Sequence, residues 1–427
     1  MGRNKLVSVV GVNPPADIAS GRAHIVRWTM VLRRPKRSVD LQRCAVEVCQ
    51  ALHDVQLAAR MCSAFLNNRI RGIGMKIEKN VKDQMTPIER KKAIQNGERA
   101  DRVMAMPFTS EFKCYLSGIS VRDFWFDVKK MAQAERIAFN RYGYDRIVIG
   151  PNTRGIVEAL GGKFIYPENG VPFADEPMIY DYKKLDEMEP VDAKRDPRLA
   201  VFIEEAKILS EEAQGIVPIE ASIGGPFTIT SSLRGVEKLL RDCRKYGEEV
   251  HRLMRIVTDS QKSCIDMAAQ YGLGIAMADP VANPALIGPK MYEKFVFPYT
   301  KELTDYAFEK TGHKVSLHMC GDTRSIWKYL GQYQLNELSL DNIIDIKQAA
   351  DEIGSEVPIA GNVDPVSIVM KGTKEEIFAD VKRCVEIGSK AKKGYTLATG
   401  CDIPETTDPQ KIDWFMDAAR ACGEYKG

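Results

Sequence analysis

No run of this chain approaches the roughly 20 consecutive apolar residues of a membrane span, and the apolar stretch Val7 to Val12 is too short for the core of a signal peptide. The expected compartment is therefore the cytoplasm, with no membrane partner. A secreted disulfide framework is also missing. The ten cysteines (Cys44, Cys49, Cys62, Cys114, Cys243, Cys264, Cys320, Cys384, Cys401 and Cys422) fall at irregular spacing, and a reducing compartment suits thiolate ligands better than disulfides. There is no dinucleotide loop either, because Gly272-Leu273-Gly274 lacks the glycine spacing that cradles a pyrophosphate and reads as a helix stop entering a strand.

A net charge of +3 conceals an asymmetry. Residues 1–74 hold twelve basic residues against four acidic ones, while the remainder carries −5. The basic head, with Arg33-Arg34-Pro35-Lys36-Arg37, contains no recognised nucleic-acid-binding motif, so no nucleic-acid partner is expected. We read residues 1–74 as a poorly ordered extension or a misplaced start, Met75-Lys76-Ile77-Glu78 offering an alternative one.

What the chain does have is His318-Met319-Cys320-Gly321, followed 81 residues later by Cys401 in Thr399-Gly400-Cys401-Asp402. Along an extended segment side chains i and i+2 point the same way, so His318 and Cys320 can face one ion while Met319 packs on the other side. Three such ligands leave a tetrahedral zinc one open position, the mark of a catalytic rather than a structural site. Two buried cysteines and a core histidine are the bland alternative.

The surrounding pattern decides between them. Thr86-Pro87-Ile88-Glu89 opens a helix that Asn96-Gly97 stops, and Ser120 to Tyr142 reads as a longer helix; residues 75–143 are taken as a helical layer packed on the main domain. From 144 to 427, short apolar runs alternate with amphipathic stretches. Strands are expected at 146–150, 163–166, 217–223, 274–278, 314–318, 336–340, 357–361 and 395–399, with helices between. Eight parallel strands with outer helices predict an α/β protein of the (β/α)8 TIM-barrel class, whose strand-end loops share one mouth. In an open sheet the two ligand-bearing strands would lie about 14 Å apart, too far to share an ion.

Polar residues follow these strands regularly: Gly224-Gly225-Pro226, Asp279-Pro280, His318-Met319-Cys320, Asp341-Asn342, Asn362-Val363-Asp364 and Cys401-Asp402. Asp279 and Glu220 are the candidates for the fourth zinc position. Asp279 comes first because Glu220 lies inside its strand, and a helix cap or salt bridge is the structural alternative for either. Asp341, Asn362 and Asp364 are assigned to the cofactor side of the site, hydrogen-bonding His318 or orienting loops.

Met85-Thr86-Pro87-Ile88-Glu89-Arg90, Asn96-Gly97-Glu98-Arg99-Ala100-Asp101-Arg102-Val103, Tyr166-Pro167-Glu168-Asn169-Gly170-Val171-Pro172, Gly225-Pro226-Phe227-Thr228, Ala278-Asp279-Pro280 and Gly361-Asn362-Val363-Asp364-Pro365 occur in this order. Together they resemble the uroporphyrinogen decarboxylase superfamily over most of 86–425, and within it the methylcobamide:coenzyme M methyltransferases. That resemblance maps the zinc ligands onto His318, Cys320 and Cys401. It implies methyl transfer from a methylated corrinoid (methylcobalamin type), carried by a separate small corrinoid protein, to a small thiol substrate such as coenzyme M. A corrinoid-dependent demethylase of a small methyl donor, or a metal-free decarboxylase, are the alternatives. The Arg-rich stretch with which porphyrin decarboxylases grip propionates is replaced here by Pro107-Phe108-Thr109-Ser110-Glu111-Phe112-Lys113.

Overall fold

The computed structural model describes residues 76–425, except Asn169, and the backbone of a strand pair near the N-terminus. That pair, β1 (Val7–Val12) and β2 (Ile25–Met30), is antiparallel, with Val7 opposite Met30, and belongs to a unit, Met1–Ala64, distinct from Phe65–Gly427. The expectations for the rest of residues 1–74 fall outside the described residues.

Eight parallel strands form the barrel of the second unit: β3 (Ala105–Met106), β4 (Ile147–Ile149), β7 (Ile219–Ser222), β8 (Gly274–Ala278), β9 (Val315–Met319), β10 (Leu335–Leu340), β11 (Ile359–Val363) and β12 (Tyr395–Thr399). Their order is β3-β12-β11-β10-β9-β8-β7-β4. The intervening helices have legible start signals. Thr86 and Thr373 each cap a helix through a reciprocal capping box with Glu89 and Glu376, and Asp196 and Asp408 cap helices that begin with proline. The long helices expected over 120–142, 232–271 and 289–311 are broken by local chemistry: by Asp127, whose carboxylate caps the next helix, by Gly235 at φ 87°, and at Val296 ahead of Pro298.

One expected strand is corrected. Residues 163–166 supply β5 (Phe164–Ile165), which pairs with β6 (Phe173–Ala174) in a separate antiparallel hairpin and not with the barrel. The missing barrel strand is β3, two residues long, in the stretch read as helical layer. It is too short to show any alternation.

Because β3 and β4 do not share a ladder, the barrel is closed at their seam by one residue. The Asp145 N–H donates to the Ala105 carbonyl at 2.9 Å, and the Asp145 carboxylate accepts from the Ala105 N–H at 2.6 Å. Arg90 and Arg102 both bind the same carboxylate, and both are essentially inaccessible to solvent. Arg90 also reaches Asp101 at 2.7 Å, while Arg102 and Arg420 share Asp83, Arg420 at 2.8 Å. A buried guanidinium survives only when paired. Replacing Asp145 with Ala should thus strand two buried cations and open the seam, costing about 3–5 kcal/mol, read as a lowered denaturation midpoint. An unchanged midpoint would show the seam to be held elsewhere.

Candidate metal centre

His318 is the fourth residue of β9, and Cys320 follows one residue past its end. The strand's pleat does what the spacing predicts. Met319 is buried on the opposite side beside Tyr292, while His318 Nε2 and Cys320 Sγ lie 3.2 Å apart. Cys401 arrives from the end of β12, its Sγ 3.9 Å from that of Cys320. Among the described residues these three form the one cluster of potential metal ligands, all donor atoms lying within 4.8 Å of each other.

Glycines on both loops permit the approach. Gly321 has φ +77°, and a Cβ there would sit 1.8 Å from the Asn283 amide; a Cβ on Gly400 would meet the Asn342 backbone nitrogen at 2.3 Å. Ser339 on β10, the register partner of His318, bonds the imidazole Nδ1 at 3.0 Å. With a metal on Nε2, Nδ1 would carry the proton and donate to the serine, which would fix tautomer and ring together. The two thiols are close enough to hydrogen-bond, so one holds a proton more tightly than the other. Hydrogen bonds from Cys320 and His318 pull the Cys401 thiol below the ordinary range, and the same contact pushes Cys320 above it. A metal ion in this place would substitute for that proton.

The donor set suits zinc. A tetrahedral Zn2+ with bonds of about 2.0–2.1 Å to nitrogen and 2.3 Å to sulfur needs roughly 3.6 Å between N and S and 3.8 Å between two sulfurs, close to the separations found.

The other expected site residues hold the framework. Both Asp279 oxygens are taken by the first turn of the helix Pro226–Arg234: Oδ1 accepts from the Thr228 N–H at 2.9 Å and hydroxyl at 2.6 Å, and Oδ2 from the Phe227 N–H at 3.4 Å. Burial pushes this carboxyl up to about 6, those bonds opposing the shift. Asp279 is thus a helix cap borrowed from another strand end, and is not gathered with the three ligands. Glu220, within β7, accepts from Ser316 at 2.9 Å and faces Arg146 at 3.3 Å. Asp341 accepts from the Gly321 N–H at 2.7 Å and so holds the Cys320 loop. Asn362 donates to the carbonyls of Asp341 and Ile344, and Asp364 caps the turn Pro365–Met370. None of these three bonds His318. Ser339 does, and nothing distinguishes a serine in strand Leu335–Leu340 from its neighbours in sequence.

His318 and Ser339 lie on the wall of a cavity of ≈ 490 Å³, the size of a small-molecule site. The segment 108–113 that replaces the Arg-rich stretch lines it through Phe108, Thr109, Ser110, Glu111 and Lys113. The Phe108 ring lies 5.6 Å from that of His318, and Ser110 donates to Asp402 at 2.7 Å.

Barrel and cluster together define a TIM-barrel enzyme with a thiolate-rich candidate metal centre at the ends of its strands. The chain belongs to the uroporphyrinogen decarboxylase (URO-D) family, whose model matches residues 86–422. It is similar to the methylcobamide:CoM methyltransferase MtbA of Methanosarcina acetivorans, 26% identical over 348 residues that span 79% of this chain and 98% of the relative. It is also similar to the uroporphyrinogen decarboxylase of Thermodesulfovibrio yellowstonii, 23% identical over 282 residues, 64% of this chain and 79% of that one. A solved methyltransferase from Methanosarcina mazei shares the fold at TM-score 0.67 and 22% identity, over 79% of this chain and 99% of that one.

Replacing Ser339 with Ala leaves the imidazole unanchored at Nδ1. Zinc affinity, measured by competition with a chromogenic chelator, should fall about 10–100-fold. Unchanged affinity would mean that strand packing alone orients His318.

Proposed function

We propose that the protein is a cytoplasmic zinc-dependent methyltransferase that moves a methyl group from a methylated corrinoid, carried by a separate small protein, to a thiol such as coenzyme M. The observation that carries this reading is the cluster of one imidazole and two thiols, whose histidine also lines a cavity sized for a small molecule. Zinc held by His318, Cys320 and Cys401 would lower the pKa of a substrate thiol while its two thiolate ligands keep that sulfur electron-rich enough to be alkylated. A methylated corrinoid on the partner would supply the methyl group and retain the electron pair of the broken cobalt–carbon bond, and the substrate thiol's proton would pass to solvent.

The chain's own residues prepare the rest. Ser339 fixes His318, and Asp341 holds the turn that presents Cys320. Asp279 and Glu220 have hydrogen-bond partners of their own, which favours substrate over a protein carboxylate for a fourth position. Met106, Phe108, Phe164 and Leu317 make much of the cavity wall apolar, a surface that limits competing water. The β5–β6 hairpin contributes Phe173 to the cavity and leaves it, with Ile165 and Val171, exposed to solvent. Such an apolar rim suits a docking protein that brings its corrinoid to the site.

Two features weigh against a metal-free decarboxylase of a polyanionic porphyrin. The cluster of three soft ligands would have no role in it, and Lys113 and Arg154 on the cavity wall are already tied to Glu135 and Glu111.

With free methylcobalamin and a thiol, the purified protein should demethylate the corrinoid, followed by its visible spectrum. Cys320→Ala and Cys401→Ala should each lose zinc and at least about 100-fold in rate. Full activity without both thiols would refute the assignment. Turnover of a methylated donor by Co(I), with every thiol inert, would instead identify a demethylase.

A further inference from the structure

The cavity that His318 lines is also walled by three helices carrying buried charge: Lys113 on Phe112–Ser117, Glu135 on Val128–Tyr142 and Glu205 on Pro197–Glu212. Every cation on the wall is already matched. Lys113 bonds Glu135, Arg154 bonds Glu111 at 2.6 Å, and Arg146 bonds Glu337 and faces Glu220 at 3.3 Å. The carboxylates are not all matched. Glu135 Oε2 and Glu205 Oε2 have no hydrogen-bond partner, although both residues are only 1% exposed; two donors on the wall, Trp125 Nε1 and Arg146 Nε, also lack one, the guanidinium being ion-paired with Glu337 and Glu220. Glu205 has no cation bonded to it. Burial and the neighbouring charge of Glu135 push its carboxyl up to about 8.

Buried polar atoms without partners are rare and are commonly completed by a ligand. A sulfonate or carboxylate entering here would find no unpaired cation and would face two glutamates. An ammonium would offer donors to such free oxygens and, by favouring the ionised form of Glu205, would pull that carboxyl back toward the ordinary range.

We propose that the Glu135–Glu205 wall receives an ammonium group on the substrate, so that the thiol methylated here is an aminothiol, in place of the sulfonate-bearing coenzyme M that served above as the example of a thiol acceptor. This rests on the methyl-transfer reading for the reacting end and is independent of it for the charged end.

The test is calorimetry on the zinc-loaded protein with 2-aminoethanethiol and 2-mercaptoethanesulfonate, which differ in their charged ends. A sulfur-free pair, propylammonium and propanesulfonate, is followed by ligand-observed NMR. The ammonium member of each pair should bind at least about tenfold more tightly. Glu205→Leu should erase the preference, with zinc content reporting that the metal centre is intact. Glu205→Gln, closer in shape, repeats the comparison should the leucine variant fail to fold. Equal affinities, or tighter sulfonate binding in either pair, would overturn the proposal; if 2-mercaptoethanesulfonate is nonetheless methylated, the methyl-transfer reading stands. If neither thiol binds but propylammonium does and loses its preference in the variants, the ammonium site stands and the thiol reading falls. No binding of propylammonium to the wild type would also sink the inference.

Discussion

Everything at the candidate metal centre depends on closure of the barrel. The ligands come from β9 and β12, which have β10 and β11 between them in the sheet, so in a flat sheet they would be separated by three strand spacings of about 4.8 Å. Curling the sheet until β3 meets β4 points the strand ends inward, and Cys320 and Cys401 come within 3.9 Å. The closure is itself weakly made. β3 has two residues and no ladder to β4, so Asp145 acts as the missing strand contact while Arg90 and Arg102 hold its carboxylate. A buried ionic network thus does the geometric work that backbone pairing does elsewhere around the ring, and the cluster of His318, Cys320 and Cys401 inherits its geometry from it.

The same economy governs the strand-end acids. A barrel mouth collects carboxylates, and each is costly to bury without donors. Asp279 takes the free N–H groups of a helix start, Asp341 the N–H of Gly321, and Asp364 those of the turn after β11. By using these acids to cap and to hold loops, the chain engages their oxygens in hydrogen bonds of their own. Glu220 within β7 keeps one oxygen without a hydrogen-bond partner, and so do Glu135 and Glu205 on the helices beside the cavity.

Much of this was legible in the residues. Alternating apolar runs marked seven of the eight barrel strands, and the i, i+2 rule placed His318 and Cys320 on one side with Met319 on the other. The eighth strand was not legible, because Ala105–Met106 has no period and is defined only by its neighbours. Phe164-Ile165 has the composition of a strand and is one, but composition cannot say which sheet a strand joins. Asp279 looked like a ligand because a ligand and a borrowed helix cap both require an acid at a strand end; distance alone separates them. Ser339 and the Lys113–Glu135–Glu205 group carry no local motif. A lysine within Phe112–Ser117 and a glutamate among Ala132, Ala134, Ile137 and Ala138 are charges on the buried side of their helices, a signal that something polar must meet them inside.

The most direct test of the central claim is X-ray absorption at the zinc edge of the purified protein, before and after addition of a thiol. The account predicts two sulfur neighbours at about 2.3 Å and a nitrogen at about 2.0–2.1 Å, the sulfur count rising from two to three when the thiol is present. A shell of nitrogen and oxygen alone, or a sulfur count that does not change with thiol, would contradict it.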